Sequence, residues 1–306
     1  MIPVLDWAAF ERDREGFARD LGQAFRESGF AILENPSVPE ALRQAVLEQS
    51  DAFFALPRAD KQVVSILNTP HYRGWGKPGD ESLDETQPEV DTKETFNIGY
   101  DMAADDPRVM AGEPFRGVNQ WPDLPGFRET MLAYYDATLA QAVALHRAIA
   151  LDLGLAEDHF DQAFDEPLAA LRLLHYPPAT GATNEIGAGA HSDYGAITLL
   201  MTDGEPGLQV QPRSGGWIDV PDVPGAYVIN IGDCMMRWTN DIYVSTPHRV
   251  LPPARRRRSV AMFVEANPDQ IIAALPGTGM AKYPPIRAAD YLTSRLEATY
   301  APKAPS

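Results

Sequence analysis

Three residues carry the chemistry available to this chain: His191 and Asp193, two positions apart, and His248, which follows the aspartate after 55 positions. Two neutral imidazoles and one carboxylate on one face of a metal leave three coordination positions open, the ligand arrangement of non-haem Fe(II) oxygenases. The short spacing has a mechanical reading. If 190–201 is a strand, residues 191 and 193 project from the same face, so one strand supplies two ligands side by side. A distant strand then supplies the third.

A His-x-Asp triplet by itself arises often by chance, so its surroundings decide. The run His191-Ser192-Asp193-Tyr194-Gly195-Ala196-Ile197-Thr198-Leu199-Leu200 is followed by Gly207-Leu208-Gln209-Val210 and Asn230-Ile231-Gly232-Asp233. Then come Ser245-Thr246-Pro247-His248-Arg249-Val250 and Arg257-Arg258-Ser259. In this order the set resembles the isopenicillin-N-synthase-like family of 2-oxoglutarate- and Fe(II)-dependent dioxygenases. The openings Ile2-Pro3-Val4-Leu5-Asp6 and Gly29-Phe30-Ala31-Ile32-Leu33 extend the resemblance over nearly the whole chain.

The resemblance implies Fe(II) on His191, Asp193 and His248, with 2-oxoglutarate as cosubstrate and O2 as oxidant. Arg257 and Ser259 would hold the distal carboxylate of 2-oxoglutarate. Tyr176, before Pro177-Pro178, would lie near the cosubstrate; the asparagine common two residues earlier in the family is Leu174 here. The implied reaction releases succinate and CO2 and oxidises a C–H bond of a small molecule by hydroxylation, desaturation or ring closure. An alternative is an oxidase in the manner of isopenicillin N synthase, using Fe(II) and O2 without 2-oxoglutarate. Two readings outside the class are a non-catalytic jelly-roll binding protein and a Zn or Mn hydrolase with the same trio.

The residues support the clamp on their own terms. Arg257 and Ser259 are two apart on an expected strand and point to one face. A guanidinium beside a hydroxyl suits a carboxylate, because it donates two parallel hydrogen bonds. Alternation turns Arg256 and Arg258 away. The same alternation separates His175 from Tyr176, while His146 and His159 read as surface or satisfied polar residues.

Length and composition set bounds. A chain of 306 residues, 44% hydrophobic, can bury a large core. Net charge of −17 disfavours nucleic acid as a partner, which would require a basic stripe. The single cysteine, Cys234, sits in an apolar run and reads as core, and no intrachain disulfide can form. That fits a cytoplasmic location, as does an N-terminus without the basic and apolar regions of a secretory signal. No apolar stretch is long enough to span a membrane, and the expected state is a monomer or weak homodimer.

Periodicity places helices over 12–28, 39–56, 126–153 and 288–300, with Gly29 ending the first. From residue 169 onward short apolar strands follow one another between turn signals: 170–176, 190–201, 208–211, 217–220, 226–230, 235–238, 244–250 and 259–265. The expected fold is therefore mainly β with flanking helices: a double-stranded β-helix, or jelly roll, with an N-terminal α/β lobe. The expected division is a mixed lobe over 1–120 and a long helix plus jelly roll over 121–306. The segment 71–98 combines His71, Tyr72, Arg73, Trp75 and Lys93 with glycines and prolines, which suits a wall or lid over the metal. His71, Arg73 and Trp75 are its candidate substrate contacts.

Overall fold

The computed structural model describes residues 1–79, 90–182 and 185–300. Its strands in chain order are β1 (Val4–Asp6), β2 (Phe30–Glu34), β3 (Gly74–Gly76), β4 (Val90–Asp91) and β5 (Glu94–Gly99). Then follow β6 (Leu168–Tyr176), β7 (Glu185–Ile186), β8 (Ala188–His191), β9 (Ile197–Thr202) and β10 (Leu208–Val210). Four more complete the two facing sheets: β11 (Ile218–Asp219), β12 (Tyr227–Ile231), β13 (His248–Val250) and β14 (Arg257–Glu265). A large sheet runs β1-β2-β12-β9-β14-β6-β5-β3, and a smaller one runs β11-β10-β13-β8. Strands from the first hundred residues thus extend the large sheet at both edges, around a middle of jelly-roll strands.

Alternation along the strands divides the apolar residues between two layers. One face of the large sheet carries Leu171, Leu173, Ile197, Leu199, Val260 and Met262 onto the helices Arg14–Glu27, Glu40–Phe54 and Phe127–Asp152. The other carries Leu174, Tyr176, Val228 and Ala261 toward Ala188, Leu208, Val210 and Val250 of the small sheet. The site lies within this second layer. Because its walls are two hydrogen-bonded sheets, side chains aimed inward are held at fixed register.

Gly29 ends its helix as the sequence suggests. It adopts φ +70°, and a Cβ there would stand 2.1 Å from the Val244 carbonyl oxygen. Three expected strands differ from the structure, the first being 244–250, of which only His248–Val250 is strand. Residues 235–238 belong to a helical turn, Asp233–Trp238; a four-residue apolar run has no period that separates helix from strand. The expected strand 190–201 is two strands, β8 and β9, interrupted at 192–196. The interruption comes from docking: Asp233 and Gly232 donate their backbone N–H to the carbonyls of Asp193 (2.7 Å) and Ala196 (3.1 Å). Those carbonyls are then unavailable to a sheet neighbour.

His146, expected at the surface or satisfied, is 1% exposed. Its ring centroid lies 3.9 Å from that of Phe164, and its Nδ1–H donates to the Ala142 carbonyl. Burial pushes its pKa down to about 4. Between pH 6.5 and 4 the unfolded chain therefore takes up a proton that the folded chain refuses, and stability falls as pH drops through that window. Urea titrations should show wild type losing more stability over this range than His146→Leu, by on the order of 3 kcal/mol. Equal losses would remove His146 as a source of acid sensitivity.

Candidate active site

His191 is the last residue of β8 and His248 the first of β13, and the two are register partners across the small sheet. Residues far apart in sequence thus become neighbours, with ring centroids 4.3 Å apart. Asp193 lies in the interrupted segment and turns its carboxylate toward both. Its Oδ1 is 3.9 Å from His191 Nε2 and 3.6 Å from His248 Nε2. One donor atom from each residue falls within 4.8 Å of the others.

The atoms that do not face this centre are occupied. His191 Nδ1–H donates to the Gly189 carbonyl at 2.7 Å and His248 Nδ1–H to the Thr246 carbonyl at 3.2 Å. Each Nε2 then keeps its lone pair for the centre. Asp193 Oδ2 accepts from Thr198 Oγ1 at 2.6 Å and from Asn230 Nδ2 at 2.7 Å, leaving Oδ1 inward. Burial pushes His191 down to about 4, and His248 adds in the same direction, so the ring is neutral at pH 7. Burial would raise the Asp193 carboxyl; the two imidazoles and the bonds from Asn230 and Thr198 outweigh it and hold the group below its ordinary value. Two imidazole nitrogens and one carboxylate oxygen, each oriented by an outer partner, fit an Fe(II) ion.

A turn of β12 into the following helix holds the Asp193 segment. Gly232 is required there: a Cβ would stand 2.2 Å from the Gly195 carbonyl oxygen. On the other side, Asp91 Oδ1 accepts from Gly189 N–H, and Asp91 Oδ2 accepts from Lys93 Nζ at 2.5 Å.

Arg257, Ser259 and Tyr176 come together deeper in the same cavity, whose volume is about 230 Å³. Arg257 is paired in register with Tyr176. Its Nη1 lies 3.4 Å from Ser259 Oγ, and its Cζ lies 5.0 Å from the Tyr176 ring centroid. All three side chains are at most 2% exposed. Arg258 and Arg256 face out, onto Asp51 at 2.6 and 3.1 Å, as alternation requires. His175 also points away and stacks on Phe54.

The candidate substrate contacts fare unevenly. His71 lines the cavity, half-buried, with its ring over Gly117. Arg73 also lines it but is committed to structure: its Nη atoms donate to Asn119 Oδ1 and to the Tyr100 and Phe115 carbonyls. Trp75 is not in the cavity wall. It is buried among Val64, Phe96 and their neighbours, and its indole N–H donates to Glu94. The reason is β3, which places Trp75 on the helix-facing side of the sheet opposite Phe96. Trp75→Ala should therefore cost about 3–5 kcal/mol of stability, as core tryptophans do; a KM effect without a fall in melting temperature would contradict this placement. The middle of the expected lid, residues 80–89, lies outside the described residues.

Sequence reasoning quotes Asn230 and Thr198 within motifs without giving either a role, and passes over Asn97 and Arg172. Thr198 lies five residues beyond Asp193, and Asn230 stands opposite Thr198 in register. Arg172 lies four residues before Tyr176, so strand period alone puts it on the cavity side. Removing an outer partner of a metal ligand weakens binding about 10- to 100-fold. Asn230→Ala should lower Fe(II) affinity by that factor in equilibrium dialysis; unchanged affinity would mean the amide does not orient Asp193.

Comparison with known proteins gives the same class. Residues 2–124 match the non-haem dioxygenase in morphine synthesis N-terminal family, and residues 167–266 match the 2OG-Fe(II) oxygenase superfamily. A 2-oxoglutarate-Fe(II) type oxidoreductase of Emericella nidulans is 37% identical over 97% of this chain and 90% of its own. A 2-oxoglutarate-dependent dioxygenase of Monascus ruber is 35% identical over 91% and 88%. A full-length Neurospora crassa protein crystallised in complex with alpha-KG and thymine superposes with a TM-score of 0.86 at 34% identity, covering 97% of this chain and 96% of that one. Sequence order, sheet register and these relatives agree that the chain belongs to the isopenicillin-N-synthase-like family of 2-oxoglutarate-dependent oxygenases, enzymes that use Fe(II), 2-oxoglutarate and O2.

Proposed function

We propose that this dioxygenase binds Fe(II) through His191, Asp193 and His248, and 2-oxoglutarate through Arg257, Ser259 and Tyr176. It oxidises a C–H bond of a small molecule in the space beyond. The observation that carries the residue assignment is the orientation of the trio: every ligand atom that faces away from the centre already has a hydrogen-bond partner. The oxidase alternative without 2-oxoglutarate is not favoured, since the relatives are 2-oxoglutarate enzymes.

Each side chain has a defined task. Each imidazole keeps its Nε2 lone pair for the metal, because its Nδ1–H is already donated to a backbone carbonyl. Thr198 and Asn230 hold the Asp193 carboxylate in one rotamer. Arg257 and Ser259, buried at the far end, bind a carboxylate and present the rest of the diacid toward the trio. Tyr176 walls this end and limits water. Iron(II), when bound, supplies the redox chemistry that couples O2 and decarboxylation of 2-oxoglutarate to substrate oxidation. No proton acceptor of shifted basicity is required.

A compact substrate is supported by the relative crystallised with thymine and by the cavity of about 230 Å³. We infer a cytoplasmic monomer or weak homodimer; among the described residues no helix is long and apolar enough to cross a membrane. The division near residue 120 stands as a proposal supported by the separate matches at 2–124 and 167–266. The test is succinate formation from 2-oxoglutarate. It should require O2, stop on chelation, and return with Fe(II) but not Zn(II). Turnover without O2 would return the trio to a hydrolase.

A further inference from the structure

Two arginines on one wall of the cavity are buried without a carboxylate partner among the described residues. Arg73 and Arg116 both line the cavity and are 6% and 3% exposed. Charged groups buried this deeply are ordinarily paired with the opposite sign. Arg73 instead donates to neutral oxygens, Asn119 Oδ1 and the Tyr100 and Phe115 carbonyls. Arg116 Nη2 donates to the Glu166 carbonyl at 2.6 Å. Two acids of this region are taken elsewhere. The Glu166 carboxylate accepts from Arg108, and Asp101 accepts from Asn119 and Arg128.

Arg116 also has donors to spare. A guanidinium carries five N–H groups. Nε is buried and has no acceptor among the described residues, and Nη1 has none there either. Its guanidinium carbon lies 5.6 Å from the Tyr100 ring centroid, which fixes the group against the wall. Burial pushes Arg73 down to about 10, and Arg116 adds in the same direction, so the two cations lie within each other's field. The backbone that aims them is strained. Tyr72 (φ 56°) and Phe115 (φ 61°), the residues before the two arginines, both adopt the left-handed region, which side-chain-bearing residues keep only where the surroundings enforce it. The bond from Arg73 Nη2 to the Phe115 carbonyl at 2.9 Å ties the two turns together. The rest of that wall, Pro167, Leu168, Ala169 and Ala170, is apolar. Two crowded cations, one with free donors, set in an apolar wall, are matched by one anionic group on an apolar body.

That anion is not the one held by Arg257. Arg73 lies over Gly99, where a Cβ would stand 2.1 Å from its Cζ. Gly99 pairs with Ala170, six residues along β6 from Tyr176, the partner of Arg257. At about 3.3 Å per residue these backbone positions are about 20 Å apart. A five-carbon diacid spans roughly 5 Å between its end carbons, given bonds near 1.5 Å, so it cannot serve both. We propose that Arg116 binds a carboxylate of the substrate, and that the substrate is therefore a small carboxylic acid with an apolar body. Arg73 strengthens the positive field at that carboxylate. This rests on the cavity being the active site, and it names the substrate class and the residue that recognises it.

The test is calorimetric titration of the full chain loaded with Fe(II) and 2-oxoglutarate under anaerobic conditions, where binding is read without turnover. The probes are two pairs alike in shape and different in charge: hexanoate with hexanamide, and 3-phenylpropionate with 3-phenylpropanamide. At least one acid should bind about tenfold or more tightly than its amide, the scale of a hydrogen bond between charged groups. Arg116→Gln keeps a donor for the Glu166 carbonyl but loses the charge. It should abolish that preference while leaving 2-oxoglutarate affinity within about threefold, since Arg257 is untouched. Arg116→Lys keeps the charge without the fork and should retain part of the preference. The melting temperature without any ligand is a second readout. Arg116→Gln removes a buried cation that repels Arg73, so it should melt no lower than wild type. Acid and amide bound equally, no acid bound by wild type that holds 2-oxoglutarate, or a preference that survives Arg116→Gln would overturn the proposal. Failure of wild type to bind 2-oxoglutarate at all would overturn instead the assignment of the site.

Discussion

Replacing Asp193 by alanine should abolish succinate formation and weaken Fe(II) binding by more than the roughly 10- to 100-fold expected from an outer partner, while the chain stays folded. Both effects follow from the geometry. Asp193 Oδ1 is the one anionic donor in the trio, 3.6 and 3.9 Å from the two Nε2 atoms that share the centre. Removing it leaves only two imidazole nitrogens, which hold Fe(II) poorly. Asp193→Glu should fail almost as badly. Its extra methylene displaces the carboxylate from Thr198 and Asn230, whose bonds at 2.6 and 2.7 Å define its orientation, and sites of this kind tolerate about 0.5 Å of error. A glutamate variant with more than a tenth of wild-type turnover would show that the loop adapts and that the outer partners do not set the geometry.

The second large effect is expected at the other end of the cavity. Arg257→Lys should raise the 2-oxoglutarate concentration needed for half-maximal rate by about 10- to 100-fold, with a much smaller change for substrate. A hydrogen bond to a charged group contributes about 1.5–3 kcal/mol, and the substitution removes the bidentate geometry while keeping the charge. Arg258→Lys is the control. Its guanidinium lies on Asp51 and Asp203, away from the cavity, so it should leave the 2-oxoglutarate requirement alone. Reversed behaviour of the two variants would place the register of β14 one residue off.

The comparison of sequence with structure divides along physical lines. Side chains whose direction follows from strand alternation were legible: Arg257 inward with Ser259, Arg256 and Arg258 outward, His175 away from Tyr176. Long helices with regular apolar spacing, such as Phe127–Asp152, were legible too. What escaped depends on contacts between distant segments. Nothing local to Asp193 reveals that Asp233 N–H takes its carbonyl and ends the strand at His191. The apolar stretch 235–238 is helical because it caps that docking, and its composition is equally good for a strand. Trp75 looked like a site residue because aromatics and cations cluster around it, yet β3 aims it into the core. Asn230 and Thr198 escaped because an outer partner of a metal ligand carries no motif of its own; they become visible only when β12 and β9 are paired.

The central claim is that His191, Asp193 and His248 together hold one iron. Anaerobic equilibrium dialysis of Fe(II) against wild type, His191→Ala and His248→Ala, at a concentration that saturates wild type, tests it directly. The expected result is one iron per wild-type chain and a small fraction of that in either variant, with melting temperatures confirming folded protein. Equal iron content in wild type and His248→Ala would contradict the assignment.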